Sequence, residues 1–370
     1  ASVARRLSAC LRGSDRLARL GGDEFVALLP RLDHAEDAAA AAQKMLEVLG
    51  EPVSIDEHEL RPSVSIGIAT YPEDGTTIDI LLKHADTAMY GAKAAGRNNF
   101  QFFVPEMNQR ANERLQLESA LRRAVADKQL SLHYQAQINT VSGHVVGCEA
   151  LLRWQHPQRG MVPPDTFIPV AEDSGMIVPI GDWVLREACR QQAEWRTQGL
   201  GGLKLGINIS AIQFQRESFP ATVQAILDET GADPTAIELE ITESALMHPG
   251  PVLSDRLQKL VDLGLTLALD DFGTGYSCLA YLKRLPLSRI KIDRSFVTDL
   301  PGNTEDAAVV SAALSLARDL GMGVVAEGVE TAAQRAFLVE RQCTLMQGYL
   351  FSKALDAASF TNWVHGVNNI

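Results

Sequence analysis

From Leu130 onward the chain switches repeatedly between two hydrophobic periods, and this alternation constrains its fold more than any other feature. Apolar runs of strand length occur at "LSLHYQ", "HVVGCEALLRW", "LKLGINIS", "AIELEIT", "LTLALDDF", "RIKID", "GVVAEGV" and "LMQGYLF". Helical patterns such as "DWVLREACRQQAEWRTQG" and "EDAAVVSAALSLARDLG" separate most of them, and both end in the glycine that commonly stops a helix. Eight strands alternating with helices over about 240 residues fit an α/β fold of the (β/α)8 barrel type better than an open doubly wound sheet. No GxGxxG opens a helix after a strand, which further disfavours a dinucleotide-binding sheet.

The first hundred residues have a different texture. "DRLARL" and "FVALLP" flank "GGDE", which predicts a β-hairpin turned by glycine. A helix is expected at "HAEDAAAAAQKMLEVLG", a strand at "SVSIGIATY" and a second helix at "TIDILLKHADTAMYGAKAAG". This is α+β material with too few strands to close a core, so it is read as part of a domain. The charged helical stretch Pro105–Lys128 is read first as a connector and then as the opening helix of the next domain. The expected limits are 1–104, a linker at 105–114, and a barrel at 115–370.

A length of 370 residues, with 46% hydrophobic and 22% charged side chains, accommodates two globular domains. The net charge of -12 argues against a general binder of nucleic-acid polymers or anionic membranes, while leaving room for a local basic pocket. Five scattered cysteines without a CxxC pair read as reduced thiols in the cytoplasm. No apolar run approaches the roughly 18 residues of a membrane span. The opening "ASVARRLSAC" has neither an initiator Met nor an apolar leader, so it is read as internal to a longer protein with an upstream sensor or membrane anchor in reach.

The C-terminal ends of the eight runs carry Gln135, Glu149, Asn208, Glu240 with Glu243, Asp270 with Asp271, Lys291, Glu327 and Gln347. In barrels of this class that rim is the functional face, assembled from several strands. Each residue alone has a bland reading: "DD" before "FG" as a solvated turn, Asn208 as an Asx turn, Lys291 as a surface charge, Glu327 as a cap. Gathered at one mouth, however, so many oxygen ligands repel one another unless cations lie between them. Oxygen-only ligation without clustered His or Cys favours hard ions, Mg2+ or Mn2+, over zinc. Several carboxylates plus an Asn can hold two ions about 3.5–4 Å apart, a device suited to in-line displacement at phosphorus. Asp270 and Asp271 are expected where the strand gives way to loop, because neighbours within a regular strand point to opposite faces. "FGTG" after them lets the loop bend sharply.

"GCEALLRWQHPQRGMVPPDTFIPVAEDSGMI", "NIS", "ELEITES", "LDDFGTGYSCL", "KIDRSFV", "VVAEGVET" and "QGYLFSK" follow in this order across residues 115–365. Together they resemble the EAL family of cyclic di-GMP phosphodiesterases, TIM-barrel variants that linearise cyclic di-GMP to pGpG with Mg2+ or Mn2+. The resemblance implies Glu149, Asn208, Glu240, Asp270 and Asp271 as metal ligands. It implies Lys291 and Glu327 as the residues that position or activate the attacking water, with the proton acceptor of the two left open. Gln135, Arg153, Glu330 and Gln347 become substrate contacts, the guanidinium fork of Arg153 suiting a phosphate oxygen. Glu243 becomes the residue that holds the "DDFGTG" loop in its active position, and "SCLAYLKRLP" the segment that pairs two copies as a homodimer. Two departures stand out: Ala136 and Ala354 occupy positions where the family usually has Pro, and they are expected to loosen a strand end without touching metal binding.

Residues 1–103 resemble the C-terminal part of a GGDEF diguanylate cyclase domain through "GGDEF" (Gly21, Gly22, Asp23, Glu24, Phe25), "VSIGIA" and "ADTAMYGAKAAGRN". Lys93 and Arg97 match positions that contact nucleotide phosphates, and "RGSD" (Arg12 to Asp15) matches the family's inhibitory product-binding RxxD. The family's earlier half, with the first metal-binding Asp and the guanine contacts, has no counterpart here. The resemblance therefore implies a barrel that hydrolyses cyclic di-GMP beside a regulatory partner domain, with GTP as a candidate ligand of the latter. The alternatives are a receptor that binds the dinucleotide without turnover and, in a longer parent only, a cyclase.

Overall fold

The computed structural model describes residues 2–30, 32, 35–51, 53–55, 58–60, 63–246, 251–274, 283 and 285–368. The chain divides into two compact units, Ala1–Gln116 and Leu117–Ile370. Among the described residues no helix is long and apolar enough to cross a membrane.

The first unit opens with α1 (Ser2–Cys10) and the antiparallel hairpin β1 (Arg16–Gly21)–β2 (Glu24–Leu28). The hairpin turns at Gly22, whose φ of +50° lies where glycine meets no steric penalty. After α2 (Ala35–Gly50), β3 (Val53–Ile55) pairs antiparallel with β4 (His58–Leu60). The unit then runs through β5 (Ser65–Ile68), α3 (Ile78–Ala94) and β6 (Asn99–Phe102), with β5 and β6 parallel. Thr77 caps α3 by accepting from the Ile80 amide, so this helix starts where the sequence places it. Among the described residues the strands form three separate two-stranded ladders. The buried cluster of this unit is small among the described residues and is centred on the helix residues Leu7, Met45 and Leu49.

α4 (Pro105–Ala124) delivers Leu117, Leu121 and Ala124 to the core of the second unit. Eight strands then close a ring: β7 (Leu130–Asn139), β8 (Val145–His156), β10 (Lys204–Ile209), β11 (Ile237–Thr242), β12 (Thr266–Phe272), β13 (Arg289–Ile292), β14 (Gly323–Ala326) and β15 (Leu345–Met346). Each expected apolar run supplies one of them. β8 also continues into a short pairing with β9 (Gly160–Val162). Helices α5 (Pro164–Asp173), α6 (Ile177–Thr197), α7 (Ala211–Phe214), α8 (Phe219–Thr230) and α9 (Pro251–Asp262) fall between the earlier strands. The later ones are α10 (Arg294–Thr298), α11 (Thr304–Asp319), α12 (Ala332–Glu340) and α13 (Ala357–Asn368).

The ring departs from a uniform β/α alternation at its first strand. β7 runs antiparallel to both β8 and β15, and the turn at 140–144 replaces a crossover helix. Gln135 and Glu149 therefore do not sit at strand ends. They face each other as a cross-strand pair in the middle of β7 and β8. Ala136 lies inside β7, and Ala354 stands beside Leu355, which bridges to the same strand. Ala136 pairs with Cys148, and Tyr134 and Leu355 exchange backbone hydrogen bonds of 2.7 and 3.0 Å.

Candidate active site

Period-two alternation brings the charges to the inside of the ring. In "IELEIT", Ile237, Leu239 and Ile241 join the apolar core, which leaves Glu238 and Glu240 on the other face. Lys291 projects from β13 and is 1% exposed. Its Nζ lies 2.6 Å from Glu240 Oε2, 2.7 Å from Glu327 Oε1, 3.2 Å from Asp270 Oδ1 and 3.5 Å from Glu149 Oε2. One ammonium faces four carboxylates, so three negative charges are left without a countercharge if all four ionise.

The protonation equilibria register this excess. Burial pushes the Glu240 carboxyl well above its ordinary range, against the pull of Lys291 and with the push of Glu149 and Asp270. Burial likewise raises Glu327 to about 8, again against Lys291. For Lys291 burial acts to lower the pKa, but the four surrounding carboxylates outweigh it and keep the ammonium protonated well above its ordinary value.

Asp270 and Asp271 lie inside β12 and not in the loop after it. The difference is resolved by a bulge: the β12–β13 register breaks between Leu269 and Phe272, and Asp271 takes a φ of +55°. Irregular backbone frees two neighbours from pointing to opposite faces. Asp271 consequently feels the same cluster, its carboxyl pushed up to about 6 by burial, then by Asp270 and Asp293.

A glutamine ladder floors the site. Gln347 Nε2 donates to Glu149 Oε2 at 2.6 Å and to Gln135 Oε1 at 3.2 Å, while Gln137 Nε2 donates to Gln347 Oε1 at 3.3 Å. Asn208 Nδ2 donates to Glu149 Oε1 at 2.6 Å. Gln137 escaped the sequence reading, although it stands two residues from Gln135 and so shares its face. Gly206 escaped as well. A Cβ there would run into Glu240 Oε1, so this strand glycine makes the room in which that carboxylate sits.

Other expected site residues are placed differently. Arg153 is half-buried on β8 and donates to the Leu152 carbonyl at 2.9 Å. Glu330 is exposed, and it is its backbone amide that is held, by Gln334 Oε1 at 2.7 Å. Glu243 is buried in a short turn of 3-10 helix, Glu243–Leu246. The loop it was expected to hold passes out of the described residues after position 274, and "SCLAYLKRLP" lies outside them apart from Lys283, Leu285 and Pro286. In the first unit, Asp15 Oδ2 accepts from the backbone amide of Arg12 at 2.7 Å, so "RGSD" is a tight turn. Gly21 to Glu24 form the exposed hairpin end. The Lys93 ammonium stands 5.0 Å from the Tyr90 ring centroid, and Arg97, exposed, follows α3 with a φ of +58°.

Among the described residues no three His, Cys, Asp or Glu side chains stand as a ready-made metal cage. Their oxygens turn onto the Lys291 ammonium instead. Two features still fit a hard cation: Glu240 Oε1 is buried without a hydrogen-bond partner, and the available donors are all oxygen.

Comparison with known proteins accords with this geometry. Residues 118–354 match the EAL domain, and residues 1–99 match the diguanylate cyclase, GGDEF domain. The chain is 46% identical over 355 residues to the bifunctional diguanylate cyclase/cyclic di-GMP phosphodiesterase MucR of Pseudomonas aeruginosa, covering 96% of this chain and 52% of that one. It is 41% identical over 361 residues to the cyclic di-GMP phosphodiesterase PdeR of Escherichia coli, covering 98% and 54%. The chain thus spans about half the length of the curated relatives it matches. Among solved structures, a complex of the PaMucR phosphodiesterase with c-di-GMP aligns with a TM-score of 0.65 and 44% identity, over 66% of this chain and 99% of that one. The EAL enzyme Bd1971, in its form bound to cAMP and cyclic di-GMP, aligns with a TM-score of 0.67 and 32% identity, over 79% and 77%. A closed ring with an antiparallel first strand, an inward acid cluster and a match over the whole barrel lead to one assignment: the chain belongs to the EAL domain family, with a GGDEF-type stretch ahead of its barrel.

Proposed function

We propose that the barrel hydrolyses cyclic di-GMP to linear pGpG. The observation that carries this reading is the gathering of Glu149, Glu240, Asp270 and Glu327 around one buried ammonium, an excess of negative charge that calls for cations. Glu149, Asn208, Glu240, Asp270 and Asp271 are the residues that would hold two Mg2+ or Mn2+ ions. When bound, such a pair supplies charge neutralisation at the attacking and leaving oxygens of an in-line displacement.

The chain's own groups do the rest. Lys291 and Glu327, paired at 2.7 Å, position the attacking water, and the ionised Glu327 carboxylate, the one of the two that can take a proton while Lys291 is an ammonium, accepts it. A water oxygen–phosphorus bond forms, the phosphorus–O3′ bond breaks, and the released 3′ oxygen is protonated. Gln347 and Gln135 orient the Glu149 carboxylate and the substrate above it, and Arg153 meets a phosphate oxygen. Glu243 steadies the loop after Asp271. The GGDEF-type stretch is assigned a regulatory role with GTP as its ligand, and the working unit a cytoplasmic homodimer.

The test is incubation of the chain with cyclic di-GMP and Mg2+ or Mn2+, followed by separation of pGpG. Product that disappears in Glu149→Ala supports the proposal, whereas saturable binding without product would make the barrel a receptor. In Lys291→Ala the rate should fall while the affinity for cyclic di-GMP holds. An equal loss of affinity would remove Lys291 from the reaction and place it in docking.

A further inference from the structure

The hydrogen bonds around Glu149 have a direction, and a residue that the reaction above does not use fixes it. Gln137 lies inside β7, is 2% exposed, and stands opposite Gly147 of β8. A Cβ at position 147 would come within 3.1 Å of Gln137 Oε1, so this strand glycine leaves the space that the glutamine fills. On its other edge β7 pairs antiparallel with β15, Leu345 opposite Asn139 and Met346 opposite Ile138. The next step of that register sets Gln347 beside Gln137, and Gln137 Nε2 donates to Gln347 Oε1 at 3.3 Å.

The Gln347 amide has no spare capacity in this arrangement. A glutamine side chain carries two N–H donors and one carbonyl acceptor. Gln347 Nε2 donates to Glu149 Oε2 at 2.6 Å and to Gln135 Oε1 at 3.2 Å. The Gln135 amide is not free to reverse, because its own Nε2 donates at 3.2 Å to the Ser352 carbonyl, which only accepts. The orientation that serves both partners turns Gln347 Oε1 toward Gln137, and a buried carbonyl oxygen needs a donor. Half a turn of the Gln347 amide would set its oxygen against Glu149 and its nitrogen against Gln137 Nε2. Acceptor would then face acceptor and donor face donor, which leaves buried groups unpaired. Asn208 Nδ2 holds the other Glu149 oxygen at 2.6 Å, so the carboxylate is gripped on both sides.

We infer that Gln137 is a positioning residue: it locks the Gln347 amide, and through it the Glu149 carboxylate, in the orientation that receives a divalent cation. This rests on the phosphodiesterase reading of the same site. A glutamine that only filled space between β8 and β15 would affect stability and leave cation affinity alone.

The experiment measures Mn2+ binding by calorimetry, without substrate, alongside thermal melts. It compares wild type, Gln137→Met, Gln137→Asn, Gln347→Met and the double variants that combine each Gln137 change with Gln347→Met. Methionine matches the length of glutamine without its donor, and asparagine keeps an amide one carbon too short to reach. Both single Gln137 changes should weaken Mn2+ binding by about 10- to 100-fold, the range for groups that orient metal ligands. Because Gln137 acts through Gln347, each double variant should bind Mn2+ as Gln347→Met alone does. In hydrolysis, the Gln137 variants should need correspondingly more Mn2+ to reach half of their own maximal rate. Should Gln137→Met fail to fold, Gln137→Asn and its double variant decide. Unchanged Mn2+ affinity in the single variants, or losses that add in the doubles, overturns the positioning role and leaves the phosphodiesterase standing. If wild type binds Mn2+ but makes no pGpG, the phosphodiesterase reading falls and the calorimetry still decides the positioning. If wild type takes up no Mn2+, both fall.

Discussion

Each unit carries adjacent acids beside glycine, Asp270–Asp271 in "DDFGTG" and Asp23–Glu24 in "GGDEF", yet the two pairs live in opposite environments. In the barrel, Asp270 is 7% exposed and shares Lys291 with three other carboxylates. In the first unit both acids stand exposed at the end of a two-stranded ladder. A closed ring has an inner face on which every strand can place a charged side chain out of water. A two-stranded ladder has none. Acidic letters beside glycine therefore identify a motif, while the topology around them decides whether their charges interact strongly enough to store energy.

The widest separation between the regions should come from Lys291→Met. Without its ammonium the cluster becomes an uncompensated buried charge, a change that costs about 3–5 kcal/mol when one partner of a buried pair is removed. Urea unfolding of the second unit in chelator should show that loss, and Mn2+ should restore part of it, because a divalent ion supplies the missing countercharge. A variant that unfolds like wild type would mean that the acids are not mutually repelling, and the contrast with the hairpin would dissolve. Next in size is Gly206→Ala. Its Cβ takes the space of Glu240 Oε1 and should cost about 10- to 100-fold in Mn2+ affinity by calorimetry, the range for groups that orient metal ligands.

Much of the barrel was legible because each ring strand is an apolar run bounded by helical spacing, and inward acids recur at matching places along those runs. The antiparallel first strand could have been read too. Only positions 140–144 separate β7 from β8, whereas a parallel crossover needs about a dozen residues or more. Gln137 was likewise available from its spacing to Gln135. The bulge at Asp270–Asp271 was not, because a positive φ at a non-glycine residue follows from how β13 pairs with β12 and leaves no local signature. Gly206 is the intermediate case: a glycine inside a strand marks a close approach, but which side chain approaches is a property of the closed ring.

The titration of the barrel acids sharpens the contrast in a metal-free sample. Glu327 has a folded pKa of about 8 against an ordinary 4.5, so between those limits the folded state binds more protons than the unfolded chain. Stability of the second unit should therefore fall as pH rises from about 4.5 through about 8. Asp271 contributes in the same direction, from 3.8 to about 6. Glu327→Gln should flatten the upper part of this dependence, and saturating Mn2+ should flatten the whole of it by taking the place of protons. A stability that rises over this interval would show that the carboxylates are held by partners and not merely buried.

The smallest effect is expected at the hairpin, and its smallness is informative. Asp23 and Glu24 are exposed, and the Arg19 guanidinium beside them donates to the Gly22 carbonyl and not to either carboxylate. The turn is thus held by backbone, by a glycine in the left-handed region and by that guanidinium, none of which bonds to the acids' carboxylates. Asp23→Asn with Glu24→Gln should change the unfolding free energy of the first unit by less than about 0.5 kcal/mol, as surface substitutions away from special features do. Hydrogen exchange at the β1–β2 amides reads this region separately from the barrel. Protection lowered by tenfold or more would mean that the hairpin acids, like those around Lys291, are part of a charge network, and burial could no longer be what separates the two.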